Sequence, residues 1–192
     1  MSQGPITIAG LCGSLRKASF NRMALAHFAK SLPEGARLVP VEIGEFPLYN
    51  QEILDAGVPA AVAQARDTIH GADAVAIATP EYNYGPSGVL KNAIDWLSRM
   101  TPQPFAAKPI ALLGASAGLF GSGRAQYHLR QIFVFLDGRP INKPEVMIGA
   151  AQTKFGPDGT LNDETAVKLI KDLAANLVRE IHRFRAAAAV SG

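Results

Sequence analysis

The sequence predicts an α/β domain: a doubly wound, five-stranded parallel sheet with helices on both faces. Three observations carry this. Short apolar runs alternate along the chain with segments of helical period. Two of the runs, AVAIAT at 74–79 and IALLGA at 110–115, are continuous, the pattern of strands covered on both faces. The length of 192 residues suits one domain of ~100–200 residues.

The elements follow in order. Ile6–Cys12 is the first strand, and 21–32 is a helix with Met23, Leu25, Ala26 and Phe28 as its apolar positions. A short second strand follows at 37–41. A helix over 59–69 opens on Pro59, which suits a first helical position. The third strand, 74–79, is stopped by Pro80, and a helix follows at 89–100. The fourth strand is 110–115, a long helix covers 123–136, and Val146–Ile148 is the last strand. The closing helix, 163–185, places Ile170, Leu173, Leu177, Ile181 and Phe184 on one stripe at spacings of 3 and 4, as an amphipathic helix requires. The tail 186–192 is expected to fray. The whole chain, 1–192, reads as a single domain.

Composition excludes several classes of function. Apolar residues are 48% and charged residues 18%, so the chain is not a disordered one. The net charge is +3 with no run of five cations, which leaves no polybasic arm for nucleic acid or membrane. The single cysteine, Cys12, excludes an internal disulfide and a multi-cysteine metal site and fits a reducing compartment. Residues 1–5 lack a basic signal region. The longest charge-free stretches, 1–15 and 109–123, are shorter than the ~20 residues of a membrane span. A cytoplasmic protein without nucleic-acid or membrane partners is expected. The four histidines, 27, 70, 128 and 182, have no ligand spacing, so no metal is expected.

In doubly wound sheets, ligands sit beyond the carboxyl ends of the strands, where the strand order reverses. The loops after the first, third and fourth strands therefore hold the candidate residues. The first runs Gly13, Ser14, Leu15, Arg16, Lys17, Ala18, Ser19, Phe20, Asn21. It reads either as an anion cradle of hydroxyls, a guanidinium and a helix N-terminus, or as an ordinary turn with Ser19 as N-cap. The nucleotide patterns G-x-x-x-x-G-K-[ST] and G-x-G-x-x-G are absent. Six positions after Cys12 stands Ala18 rather than the arginine of a cysteine phosphatase. Cys12 reads as a small buried residue.

The second loop, 79–88, holds Pro80, Glu81, Tyr82, Asn83 and Tyr84. Its two tyrosines and amide either line a flat aromatic ligand or pack a surface turn. In the helix beyond it, Trp96 suits a core or a subunit interface equally. The third loop, 116–123, has three glycines. They allow backbone to approach a ligand or simply make the loop flexible.

Taken together, G-S-L-R-x-x-S-x-N at 13–21, P-E-Y-N at 80–83, L-K-N-A-I-D-W at 90–96 and R-A-Q with L-R at 124–130 resemble the NAD(P)H-dependent FMN reductase family, and within it the chromate and quinone reductase group. The resemblance extends over 6–148. It implies a flavodoxin-like fold with strand order 2-1-3-4-5, bound FMN and NAD(P)H as hydride donor. By position it implies that Ser14, Arg16, Ser19, Phe20 and Asn21 hold the phosphate. Pro80, Glu81, Tyr82 and Asn83 would run along the isoalloxazine, largely by backbone contacts, and Ser116, Ala117 and Gly118 would close its other side. No side chain is assigned a catalytic role, because the flavin performs the chemistry.

The resemblance also implies a homodimer or homotetramer, with Arg124, Tyr127 and Glu145 matching an inter-dimer network. Ser87 and Ser122 depart from the family pattern, in loops expected to shape access to the flavin. The implied activity is ping-pong, two-electron reduction of small acceptors: quinones, free flavin, azo or nitro compounds, chromate. The alternative is a flavodoxin-type electron carrier. Docking to basic partners favours an acidic carrier, and the charge of +3 speaks against it.

Overall fold

A computed structural model describes residues 4–190 of the chain. The strands of its main sheet are β1 (Ile6–Cys12), β2 (Ala36–Val41), β3 (Ala74–Ala78), β6 (Pro109–Ala115), β7 (Arg139–Pro140) and β8 (Val146–Ile148). A separate short hairpin, β4 (Glu81–Tyr82) with β5 (Gly85–Pro86), lies in the loop after β3. The helices are α1 (Phe20–Lys30), α2 (Gln51–Ala56), α3 (Ala60–His70), α4 (Gly88–Ser98), α5 (Gly123–Phe135) and α6 (Glu164–Val190).

All pairings in the main sheet are parallel, in the order β2-β1-β3-β6. The fifth position is shared: β7 pairs with the start of β6 and β8 with its end. This is the predicted 2-1-3-4-5 order of flavodoxin-like sheets, with the last strand broken in two. Pro140 has no N–H to offer the ladder, and pairing resumes only at Val146 opposite Leu113. Pro40 is accommodated in β2, paired with Gly10, because β2 is an edge strand.

The sheet divides the core. On one face, α1 and α6 bury Phe28, Leu173 and Leu177 against Ile8, Ala76 and Leu113. On the other, α3, α4 and α5 bury Ile69, Leu97 and Phe133 against Leu11, Ile77 and Leu112. Trp96 belongs to this second core. It is 0% exposed, donates its indole N–H to the Pro47 carbonyl at 2.7 Å, and meets the Tyr49 ring edge-on at 5.1 Å. The single chain buries it completely.

The predicted elements are present, with ends shifted by at most two residues, apart from the last helix. Ser19 caps α1 as read from the sequence, its hydroxyl accepting the Arg22 N–H at 3.3 Å. Pro59 stands one place before α3. The six-residue α2 was not predicted; it buries no residue and so leaves no periodic signal. Helix α6 continues through Val190, beyond the predicted 185. The final two residues of the tail expected to fray lie outside the described residues. Among the described residues no helix is long and apolar enough to cross a membrane.

Candidate functional site

Strands β1, β3 and β6 end side by side, and the loops that follow them meet in a cleft of about 350 Å³. Ser14, Arg16, Ser19, Phe20 and Asn21 line it from the first loop, Pro80, Glu81 and Tyr82 from the second, and Ala115, Ser116, Ala117 and Gly118 from the third. Of the residues the resemblance implies for holding FMN, all but Asn83 line this cleft. Asn83 and Tyr84 form the two-residue turn of the β4–β5 hairpin, with φ of 50° and 69°. Both central residues of such a turn need positive φ, which asparagine tolerates well. Tyrosine tolerates it poorly. Its ring is held by the Arg124 guanidinium, stacked 3.9 Å above it.

One end of the cleft gathers hydrogen-bond donors and a cation. Capping by Ser19 occupies the Arg22 N–H, but the N–H groups of Phe20 and Asn21 open the helix and have no intrahelical acceptor. They point the positive end of the helix dipole outward. Arg16 is exposed, and no carboxylate among the described residues lies within ion-pair distance of it.

The Asn21 side chain has a different task from the implied one. Its amide donates to the Ala115 carbonyl and accepts from the Ala115 N–H, both at 2.9 Å. That pair of bonds fastens α1 to the end of β6 and leaves only the Asn21 backbone N–H for an anion. A second fastening comes from Ser87, which caps α4 and donates its hydroxyl to the Gly13 carbonyl. Ser87 thus joins the first and second loops. Ser122 is also buried beneath the loops, accepting from the Gln126 amide at 2.9 Å. It fits only because Gly114 has no Cβ, which would lie 1.9 Å from the Ser122 oxygen. Neither serine lines the cleft; both prop its walls from below.

Glu81 reaches out of the cleft toward α5. Its carboxylate accepts from the backbone N–H groups of Arg124 at 2.9 Å and Ala125 at 3.3 Å, and from the Arg124 guanidinium at 2.6 Å. The guanidinium is sandwiched between Tyr84 and Phe120, 4.4 Å from the Phe120 centroid. Tyr127 separately donates to Glu145 at 2.8 Å, and that hydrogen bond to a carboxylate pushes the phenol's pKa up. Within the chain, Arg124, Tyr127 and Glu145 therefore form two distinct pairs, Arg124 with Glu81 and Tyr127 with Glu145, rather than one network. These partners lie 43 and 18 residues apart in sequence, and no spacing rule could have found them.

Burial pushes the Cys12 thiol up, opposed by its contact with the Ser14 carbonyl. That is the environment of an inert residue rather than a nucleophile. No group of three His, Cys, Asp or Glu among the described residues could hold a metal.

The donor set fits FMN. Paired N–H groups, two hydroxyls and a free guanidinium suit a phosphate dianion. Pro80, Tyr82 and the small residues Ala117 and Gly118 offer flat walls to a ring. Tyr82, on the cleft wall, and Leu119 and Phe120, which follow Gly118 in the third loop, stand more than half exposed.

Known proteins are similar to this chain over nearly its whole length. The family model of the NADPH-dependent FMN reductase matches residues 6–153. An NAD(P)H-dependent FMN reductase of Pseudomonas aeruginosa is 50% identical over 180 residues, covering 94% of this chain and 97% of that protein. A quinone reductase of Escherichia coli K12 is 46% identical over 154 residues, 79% of this chain and 82% of its own. The solved structure of FerB, a flavoenzyme NAD(P)H:(acceptor) oxidoreductase from Paracoccus denitrificans, superposes with a TM-score of 0.84 at 32% identity, covering 93% and 98% of the two chains. With the match spanning the sheet and all three loops of the cleft, the chain belongs to the NADPH-dependent FMN reductase family.

Proposed function

We propose that this protein is an FMN-dependent NAD(P)H oxidoreductase that reduces quinones and similar small acceptors. The observation that carries the reading is the meeting of two unlike surfaces in one cleft. The α1 N-terminus with Arg16 and Ser14 suits a phosphate, and the Pro80–Tyr82 wall opposite 116–118 suits a flat ring. FMN, when bound, supplies the hydride chemistry. The chain's own residues bind and orient. Ser14, Arg16 and the N–H groups of Phe20 and Asn21 fix the phosphate. Asn21, Ser87 and Glu81 hold the three loops at fixed separation through bonds to Ala115, Gly13 and α5. Pro80, Glu81 and Tyr82 would lie along one ring edge, and Ser116, Ala117 and Gly118 along the other, with Asn83 shaping the hairpin turn behind the first wall.

With walls only at its edges, a ring held in this cleft would keep one face open to solvent. Nicotinamide and acceptor would use that face in turn, guided by the exposed rings of Tyr82 and Phe120. Acceptors beyond quinones include free flavin, azo and nitro compounds, and chromate. The working form is a homodimer or homotetramer in the cytoplasm. Support for assembly comes from Val134 and Phe135 on α5, each 82% exposed; a specific interface buries more than ~1,000 Å² in total. The test is steady-state kinetics with NADPH and a soluble quinone. Parallel double-reciprocal lines are expected. Intersecting lines would mean both substrates bind together and would overturn the shared face.

A further inference from the structure

At the opposite end of the molecule lies a second cavity, of about 410 Å³, that the flavin chemistry does not use. Pro109, the first residue of β6, lines it, whereas Ala115 at the other end of β6 lines the flavin cleft. At ~3.3 Å per strand residue the two sites stand about 20 Å apart. Arg139, Lys143 and Arg179 converge on it from β7, the segment after β7, and α6. No carboxylate among the described residues lies within ion-pair distance of any of the three. The one acid in the lining, Glu180, already bonds Arg183 at 2.5 Å.

The Arg139 side chain and the backbone that carries Lys143 are held in place. The Arg139 guanidinium stacks on the Phe184 ring at 4.8 Å, which leaves its N–H edge free. Asn176 of α6 donates to the Lys143 carbonyl at 3.0 Å. Arg130 of α5 donates to the Ile141 carbonyl at 2.8 Å and the Asn142 amide oxygen at 3.1 Å. Two helices thus fix the segment that carries Lys143. Three like charges around one cavity raise a positive potential there, which favours a multiply charged anion. Guanidinium and ammonium groups beside amides are the donors that recognise phosphate.

We propose that Arg139, Lys143 and Arg179 form an accessory site for a phosphate-bearing anion, separate from the flavin cleft. The test is calorimetric titration of the FMN-loaded protein with pyrophosphate, so that the flavin-phosphate cradle is already filled. One site per chain is expected, weakening as salt rises. Lys143→Glu and Arg179→Glu should each weaken it at least tenfold, and the milder Arg179→Gln by less, with flavin absorbance and quinone turnover unchanged. A parallel arm measures co-sedimentation with phosphatidylglycerol vesicles. Pyrophosphate binding alone assigns a free ligand; vesicle binding lost in the same variants assigns a lipid headgroup. Absence of both, variants that titrate like the parent, or release of FMN by pyrophosphate would overturn the proposal.

Discussion

The Glu81 carboxylate is bound three times by the first turn of α5: by the Arg124 and Ala125 N–H groups and by the Arg124 guanidinium. The Glu81 side chain is only 9% exposed, so its charge sits in a nearly dry setting where these donors are its solvent. A carboxylate there also meets the positive end of the helix dipole. The consequence is mechanical: the second cleft wall and α5 move as one piece.

Glu81→Ala should therefore cost about 1.5–3 kcal/mol of stability, the range for hydrogen bonds to a charged group. Glu81→Gln keeps an acceptor for the helix N–H groups and should recover part of the loss. Urea unfolding of the two variants checks this. Equal midpoints for Glu81→Ala and the parent would contradict the clamp.

Arg16 is predicted to act on the phosphate alone. Arg16→Ala should weaken FMN by about 1.5–3 kcal/mol and leave riboflavin affinity unchanged. Fluorescence titration with both flavins measures it. Equal losses for the two would place Arg16 away from the phosphate.

Trp96 should behave as a core residue of one chain. Trp96→Ala is expected to cost about 3–5 kcal/mol, as for large aromatic truncations. Because the side chain is fully buried within the chain, the loss should be the same at high and low protein concentration. A loss that grows on dilution would instead mark a subunit contact.

Asp163 caps α6, accepting the Ala166 N–H at 2.7 Å. That bond, aided by Lys154, holds its carboxyl below the ordinary carboxylate value of 3.8. Its charge-dependent contribution is thus complete above pH 3.8 and lost as pH falls through the depressed folded value. Asp163→Ala should cost ~0.5–2 kcal/mol at neutral pH, the range for a lost N-cap. Asp163→Asn keeps the cap and removes the titration, so the parent's stability margin over it should shrink in acid.

The sheet and its order were legible because each central strand is a continuous apolar run closed by a turn signal. Pro80 after β3 is one such signal. The cleft was legible because loops after the first, third and fourth strands must meet at the carboxyl edge. What sequence could not convey is how polar side chains are spent. Asn21 looked like a phosphate ligand, yet both ends of its amide go to Ala115, 94 residues away. The Glu81 side chain is bound to α5, a contact 43 residues away that no local pattern marks. Trp96 was ambiguous because burial by one's own chain and by a partner leave the same apolar pattern. The pairing of Arg139 with Phe184, 45 positions on, left no local trace either.

The central claim is that this one cleft would hold FMN and admit NAD(P)H and a quinone in turn, FMN supplying the hydride chemistry. Stopped-flow absorbance of the FMN-loaded protein under nitrogen tests it most directly. NADPH or NADH should bleach the flavin within the mixing experiment, and a quinone added afterwards should restore it. Flavin that stays bound but is not bleached by either nucleotide would contradict the account and leave an electron carrier in its place.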